Sequence, residues 1–499
     1  MTTFADHDAA WKHLTAHHEQ ATVLAGVSGL LHWDQQVNMP PAAAASRSAQ
    51  IAQLASLLHE RMTDATYGEA LAALADTDDD FRQAAVAHQQ REYDRNTRLP
   101  ASLVDQLARA QADGFEAWMA ARKAKDFSLF APALRNLLDL LKAKAKAIDP
   151  DRHPYDVLLD EFDLGTSIAT LKPMFARLRE GLTELVEATR DADPVPAIDV
   201  EVPIDVQKRL HERIIAALGY DLQAGRLDFA EHPFSIGLAQ GDVRITTHLY
   251  DNDLLHGLSG TVHEAGHAMY EQGLPREAWS GTGLASAASY GLHESQSRFW
   301  ENTIGASLPF FRWLQGLLAD EGVSIDAEAM YRAANRIQPG LIRIAADEVT
   351  YNLHIIVRFE LELALFDGTL DVDDLPAAWD DAMERLLGVR PPDHTVGVLQ
   401  DVHWSGGAFA YFPSYTLGNL YAASLGAAMQ AELPNLWKDV EQGEFASILD
   451  WLRDRVHQHG SRYLAPEIVR RAVGERDAVD DLLNSLWARH GALYGVTRG

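Results

Sequence analysis

From residue 5 to residue 190, apolar side chains recur every three or four positions. That is the period of one helix face. The pattern predicts helices over 48–60, 79–97, 102–125 and 130–147, among others. It breaks at 191–203 (DADPVPAIDVEVP), which is proline-rich and reads as a linker or an extended crossing. A helix over 206–218 follows. The period then shortens to that of a strand: 234–238 and 243–250 flank the turn-like Gln240-Gly241-Asp242. Helical period returns at Asp253, with one helix over 254–272 and the longest running from about 341 to 366. The stretch 388–401 breaks the pattern again with Pro391 and Pro392. Near the start, Pro40-Pro41 stops a helix, and Trp33-Asp34 reads as packing. No internal repeat is visible. The expected fold is mostly α with one small β-sheet. An N-terminal helical lobe over 1–190 and a helical region over 191–499 are expected to form one continuous structural unit.

Composition narrows the function. A chain of 499 residues, 47% hydrophobic, can bury a large core. No apolar run approaches the length of a membrane span, and the opening MTTFADHDAAWKHL lacks a signal-peptide core, so a cytoplasmic protein is expected. A net charge of −29 argues against nucleic acid and anionic membranes as partners. Nine of the 43 basic residues are Lys, a balance that suits a salt-rich cytosol or an arginine-rich proteome equally. With no Cys, any metal must be held by His and carboxylate.

Such a site is legible in His263-Glu264-Ala265-Gly266-His267, inside the helix expected over 254–272. Residues four apart share a helix face, so both imidazoles can chelate one zinc ion. Glu264 sits about 100° further round, where it can take a proton from a metal-activated water. The pattern is the signature of zinc peptidases, although a surface helix with two solvated histidines is the bland alternative. A catalytic site needs a third protein ligand. The extended pattern with a third His fails, because Tyr270 stands in place of its Gly and Gly273 in place of its His. A Glu from a following helix remains, either Glu294 or Glu301 in the stretch 290–302.

Five ordered motifs then carry a resemblance. They are Asp242-Val243-Arg244-Ile245-Thr246, the pentapeptide, His293-Glu294-Ser295-Gln296, Ile342-Arg343-Ile344-Ala345-Ala346-Asp347, and Gly397 to Trp404 (GVLQDVHW). Together with the opening segment 30–47, the chain resembles the thermostable carboxypeptidase Taq family of zinc carboxypeptidases over essentially its whole length. The resemblance implies release of single residues from peptide C-termini, with broad side-chain tolerance and poor action on Pro. It also implies a two-lobed helical clamp with a deep groove, similar to neurolysin and angiotensin-converting enzymes, and a homodimer. By motif, His263, His267 and Glu294 bind zinc, with cobalt or manganese as substitutes, and Glu264 is the general base.

Physical roles follow for the other residues. His403 is the first candidate donor to the developing oxyanion, with Tyr415 and Tyr411 beyond the Ser405-Gly406-Gly407 turn as the others. A free carboxylate calls for a guanidinium, and Arg343 leads, placed on the helix expected over 341–366. Arg244 is second, with a salt bridge to Asp242 as its plainer role. Arg298 is expected to orient Glu294. Asp347 and Asp401 are candidates to receive the free ring N–H of a zinc-bound His. His293 is expected beside the site or lining the groove, and His354 in the core or the groove. An oligoendopeptidase, a dipeptidyl carboxypeptidase and a non-catalytic zinc- or peptide-binding protein are the competing readings.

Overall fold

The computed structural model describes residues 4–198 and 200–498. They are predominantly helical, with one three-stranded sheet. No helix among the described residues is long and apolar enough to cross a membrane. The expected helices appear at Ala44–Met62, Asp80–Arg98, Ala101–Ala124, Ala131–Ile148, Ile204–Leu218 and Leu254–Gly273. The described residues of 191–203 form no helix or strand, as the proline pattern predicts.

Chain contacts gather the protein into two compact units, and both are discontinuous in sequence. The first takes in the described parts of 1–97, 196–334 and 421–476. The second takes in 98–195, 335–420 and the described part of 477–499. This partition differs from the expected division at 190/191. The chain leaves each unit and returns to it, and such long-range closure leaves no mark on local periodicity.

In the first unit, strand Asp242–Thr247 lies at the centre of the sheet. It pairs antiparallel with Phe234–Ala239 and parallel with Gly225–Phe229. The last strand escapes the sequence reading, because GRLDF is too short and too charged to show alternation. Gly241, at φ +73°, makes the tight connection between the two antiparallel strands. The central strand runs almost directly into helix Leu254–Gly273, which Asp253 caps by accepting from the His256 N–H. Thr247 at the strand end and Thr261 on the helix are hydrogen-bonded at 2.6 Å, and Thr261 also meets His211 Nδ1 at 2.8 Å. Strand, helix and the helix Ile204–Leu218 are therefore pinned at one buried polar point.

The second unit is organised on helix Glu348–Asp367, whose buried residues lie on every side. That is the pattern of a helix inside a core. It starts later than the apolar run suggests. Asp347 caps it by accepting from the N–H groups of Val349 and Thr350, and Arg343–Ala345 forms a separate short turn. The run Leu341 to Ala346 hides this boundary because apolar residues continue straight through it.

Close packing on the metal-motif helix falls on Gly266. A Cβ there would lie 2.7 Å from the Gln296 carbonyl oxygen and 2.7 Å from Ser297 Cα, both backbone atoms of helix Tyr290–Arg298. Gly266→Ala is expected to cost about 1–3 kcal/mol through overpacking and to lower metal content by pushing Glu294 away. Thermal melts and metal analysis check this. Gly316→Ala, where a Cβ meets nothing within 4 Å, should show neither loss.

Candidate metal centre and active site

Helix Leu254–Gly273 presents His263 and His267 on one face, and helix Tyr290–Arg298 brings Glu294 across to them. Among the described residues these three form the one group whose ligand atoms all lie within 4.8 Å of one another. Glu294 Oε2 is 3.8 Å from His263 Nε2 and 3.3 Å from His267 Nε2. Glu294, rather than Glu301, is thus the convergent carboxylate.

The other ring nitrogens are engaged elsewhere, which leaves Nε2 of each histidine for a metal. His263 Nδ1 meets Glu301 Oε2 at 2.8 Å, and Glu301 Oε1 accepts from Ser259 Oγ at 2.6 Å. His267 Nδ1 meets His293 Nδ1 at 2.5 Å, and His293 Nε2 meets Glu271 Oε1 at 2.9 Å. Arg276 completes that line with an ion pair to Glu271 and a bond to the Ala239 carbonyl on the sheet. If His267 ligates through Nε2, its Nδ1–H donates to His293, whose Nε2–H donates to Glu271. One carboxylate therefore fixes the tautomers of two imidazoles. Arg298 ties both sides together, with Nε 2.8 Å from Glu294 and Nη1 3.1 Å from Glu301.

The electrostatics match a cation site. Burial would lower the His263 pKa, but Glu294 and Glu301 raise it to about 9. Burial would raise Glu294, yet Arg298 and His263 hold it far below the usual carboxylate range. His267 is pushed down to about 4, chiefly by burial. Glu264 goes the other way, with burial lifting it to about 7. Glu294 and Glu301 favour positive charge at His263, and a divalent cation held beside it would supply positive charge there. The donor set of two imidazoles and a carboxylate fits a catalytic metal.

A second cluster lies in the other unit. Asp401 sits between two guanidiniums: Arg343 reaches Oδ1 at 2.8 Å, and Arg358 reaches Oδ2 through Nε at 2.7 Å and also through Nη2. Arg343 Nη1 is 3.2 Å from the Tyr351 hydroxyl, and its guanidinium lies over the rings of Tyr415 and Phe412. His403 stacks on Tyr411, whose ring is 5.3 Å from that of Tyr415. His403, Tyr411 and Tyr415 are partly exposed while Trp404, Phe409 and Phe412 between them are buried. The structure therefore brings together Arg343, His403, Tyr411 and Tyr415. Gln400 braces the group, accepting from the Arg343 backbone N–H and donating to the Leu341 carbonyl.

Other expectations change. Asp401 pairs with arginines, and Asp347 caps a helix and accepts from the Gln338 N–H, so neither orients a metal-ligating His. Glu301 and the His293–Glu271 line instead meet the Nδ1 atoms of His263 and His267. Glu271 carried a sequence signal, lying four residues after His267 on the same helix face, whereas Glu301, singled out as the rival of Glu294, reaches across to His263 on the other helix. Arg244 is bound at both Nε and Nη2 by Asp242 and lies 4.4 Å over the Trp33 ring, which also explains Trp33. Arg298 orients Glu294 and His354 is fully buried, both as expected.

A helical body with a two-histidine, one-glutamate site and an adjacent glutamate is that of a metallopeptidase. The family model described as carboxypeptidase Taq (M32) metallopeptidase matches residues 13–490. Thermostable carboxypeptidase 1 of Thermus thermophilus is 42% identical, over 98% of this chain and 99% of that protein. Carboxypeptidase 1 of Bacillus subtilis is 38% identical, over 93% and 95% respectively. The crystal structure of the M32 carboxypeptidase from Deinococcus radiodurans R1 superposes with a TM-score of 0.94 at 38% identity, covering 98% of this chain and 100% of that one. The chain belongs to the carboxypeptidase Taq (M32) family and is a metallocarboxypeptidase. That sets aside the non-catalytic reading.

Glu271→Gln keeps the shape but weakens the hold on His293. Metal affinity is expected to fall about 10–100-fold, the usual cost of losing a carboxylate behind a ligating histidine. Competition with a chelator of known affinity measures it. An unchanged affinity would show that the line plays no part in holding the metal.

Proposed function

We propose that this enzyme is a zinc carboxypeptidase that removes single residues from peptide C-termini, with broad side-chain tolerance and poor action on Pro. The observation that carries the reading is the convergence of His263, His267 and Glu294 beside a buried Glu264. Zinc bound there supplies Lewis acidity, polarising the scissile carbonyl and acidifying water; cobalt or manganese would serve the same donors.

The chain's own residues do the rest. Glu264, lifted toward neutrality by burial, is matched to accept the proton of the attacking water and to return it to the leaving amine. His403 is held neutral, since burial lowers it to about 4, so at neutral pH it offers an N–H without bringing a charge. His403, Tyr411 and Tyr415 donate to the carbonyl oxygen as negative charge develops there. Arg343 and Arg358 share the single carboxylate of Asp401, which leaves one positive charge in the cluster to receive the substrate's terminal carboxylate. Arg343 is the residue assigned to that contact, trading its bond to Tyr351 for the substrate. Arg244 is already held by Asp242, so its part is to brace the sheet. Peptides are the proposed substrates and a homodimer the proposed assembly, both from the family resemblance.

Two variants test these roles. Glu264→Gln should bind metal as tightly as the wild type and lose about 10²–10⁴-fold in kcat. Full activity in that variant would remove Glu264 as the base. Arg343→Lys cannot make two parallel bonds. Its kcat/KM on peptide acids should drop by about 10²-fold, in line with the loss of one buried charged hydrogen-bond partner. Peptide amides should barely respond. Equal losses on acids and amides would make Arg343 a structural residue only.

A further inference from the structure

The motif GVLQDVHW ends in Trp404, and the roles proposed above leave that residue unexplained. Its indole N–H donates to Glu362 Oε1 at 2.7 Å. Glu362 is fully buried on helix Glu348–Asp367, and no sequence motif singled it out. Its second oxygen accepts from the Ala410 backbone N–H at 3.1 Å and from the Tyr155 hydroxyl at 2.8 Å. Ala410 is fully buried and holds φ at +63°, a left-handed backbone that non-glycine residues seldom adopt. A strained backbone of this kind persists only where its surroundings enforce it.

These bonds fall at two informative positions. Trp404 directly follows His403, and Ala410 directly precedes Tyr411. Between them the chain folds back on itself: Ala408 N–H donates to the His403 carbonyl at 3.0 Å, and Gly407 N–H donates to that of Trp404 at 3.1 Å. Trp404 and Phe409 stack inside the loop at 5.7 Å, and His403 and Tyr411 stack outside it at 5.5 Å. A single carboxylate therefore fastens both ends of the loop, one end per oxygen.

We propose that Glu362 is a positioning residue for the carboxypeptidase reaction, setting the spacing of His403 and Tyr411 by clamping Trp404 and Ala410. The proposal rests on the reading that His403 and Tyr411 donate to the substrate. A carboxylate is required because three donors converge on two oxygens. A carboxamide has one oxygen, and its NH₂ would face a donor. The left-handed turn at Ala410 is the part of the loop that relaxes when its N–H loses its acceptor.

The test is a double-mutant cycle on the full-length zinc-loaded enzyme with a blocked dipeptide. Expected first is that H403Q and Y411F each lower kcat; if neither does, the donor reading fails, and this proposal with it. E362Q is then expected to keep its metal affinity and lose at least about 10-fold, in kcat more than in KM. In the E362Q background, Y411F should cost several-fold less than it costs in the wild type, because the spacing is already lost. A purely structural Glu362 would lower melting temperature and leave the two losses multiplicative. That result, or an unchanged kcat in E362Q, overturns the proposal. Should E362Q not fold, E362Q/A410G carries the same cycle, since glycine reaches the left-handed turn without strain.

Discussion

Everything at the metal centre follows from an excess of buried negative charge. Glu264, Glu294 and Glu301 lie together around His263, with Arg298 as the guanidinium between the last two. Three ionised carboxylates and one guanidinium leave two negative charges, and a buried charge without a partner is costly. The protein alone can answer only with protons, and His263 and Glu264 are pushed toward carrying them. A divalent cation removes the same imbalance. The site is thus a set of fixed acceptors, and helix packing at Gly266 and the bonds behind each ring exist to keep those acceptors convergent.

The second cluster has the opposite sign. In a chain of net charge −29, a peptide carboxylate meets a generally repulsive surface. Two arginines around Asp401 create a local positive site, and the aromatic rings of Tyr415 and Phe412 cover the guanidinium of Arg343. A weakly hydrated guanidinium tolerates that apolar cover better than an ammonium would. Asp401 thereby acquires a role that its sequence position did not suggest: it pairs the arginines and has no part in orienting a metal ligand.

The features readable in the sequence were those that repeat with a helical period. His263 and His267 are four residues apart, and Ala101–Ala124 and Ile204–Leu218 declare their buried faces every third or fourth residue. Boundaries failed where hydrophobicity carries no information. The run into helix Glu348–Asp367 is apolar on both sides of Asp347, so only the cap marks the start. Strand Gly225–Phe229 is held by its pairing with the central strand, which short alternation cannot reveal. The two units draw on stretches far apart in sequence, and only long-range contacts define them. Among site residues, the ligands were legible as a motif, whereas Glu301, Glu271 and Glu362 act through partners on other elements.

The proposed exopeptidase chemistry depends on the convergent His263, His267 and Glu294. Its most direct test is a mass-spectrometric time course on a decapeptide, run with chelator and then with zinc restored. A ladder of single-residue losses from the C-terminus is expected, abolished by chelator and recovered with metal. Losses of two residues at a time, internal cuts, or cleavage that ignores the chelator would contradict it.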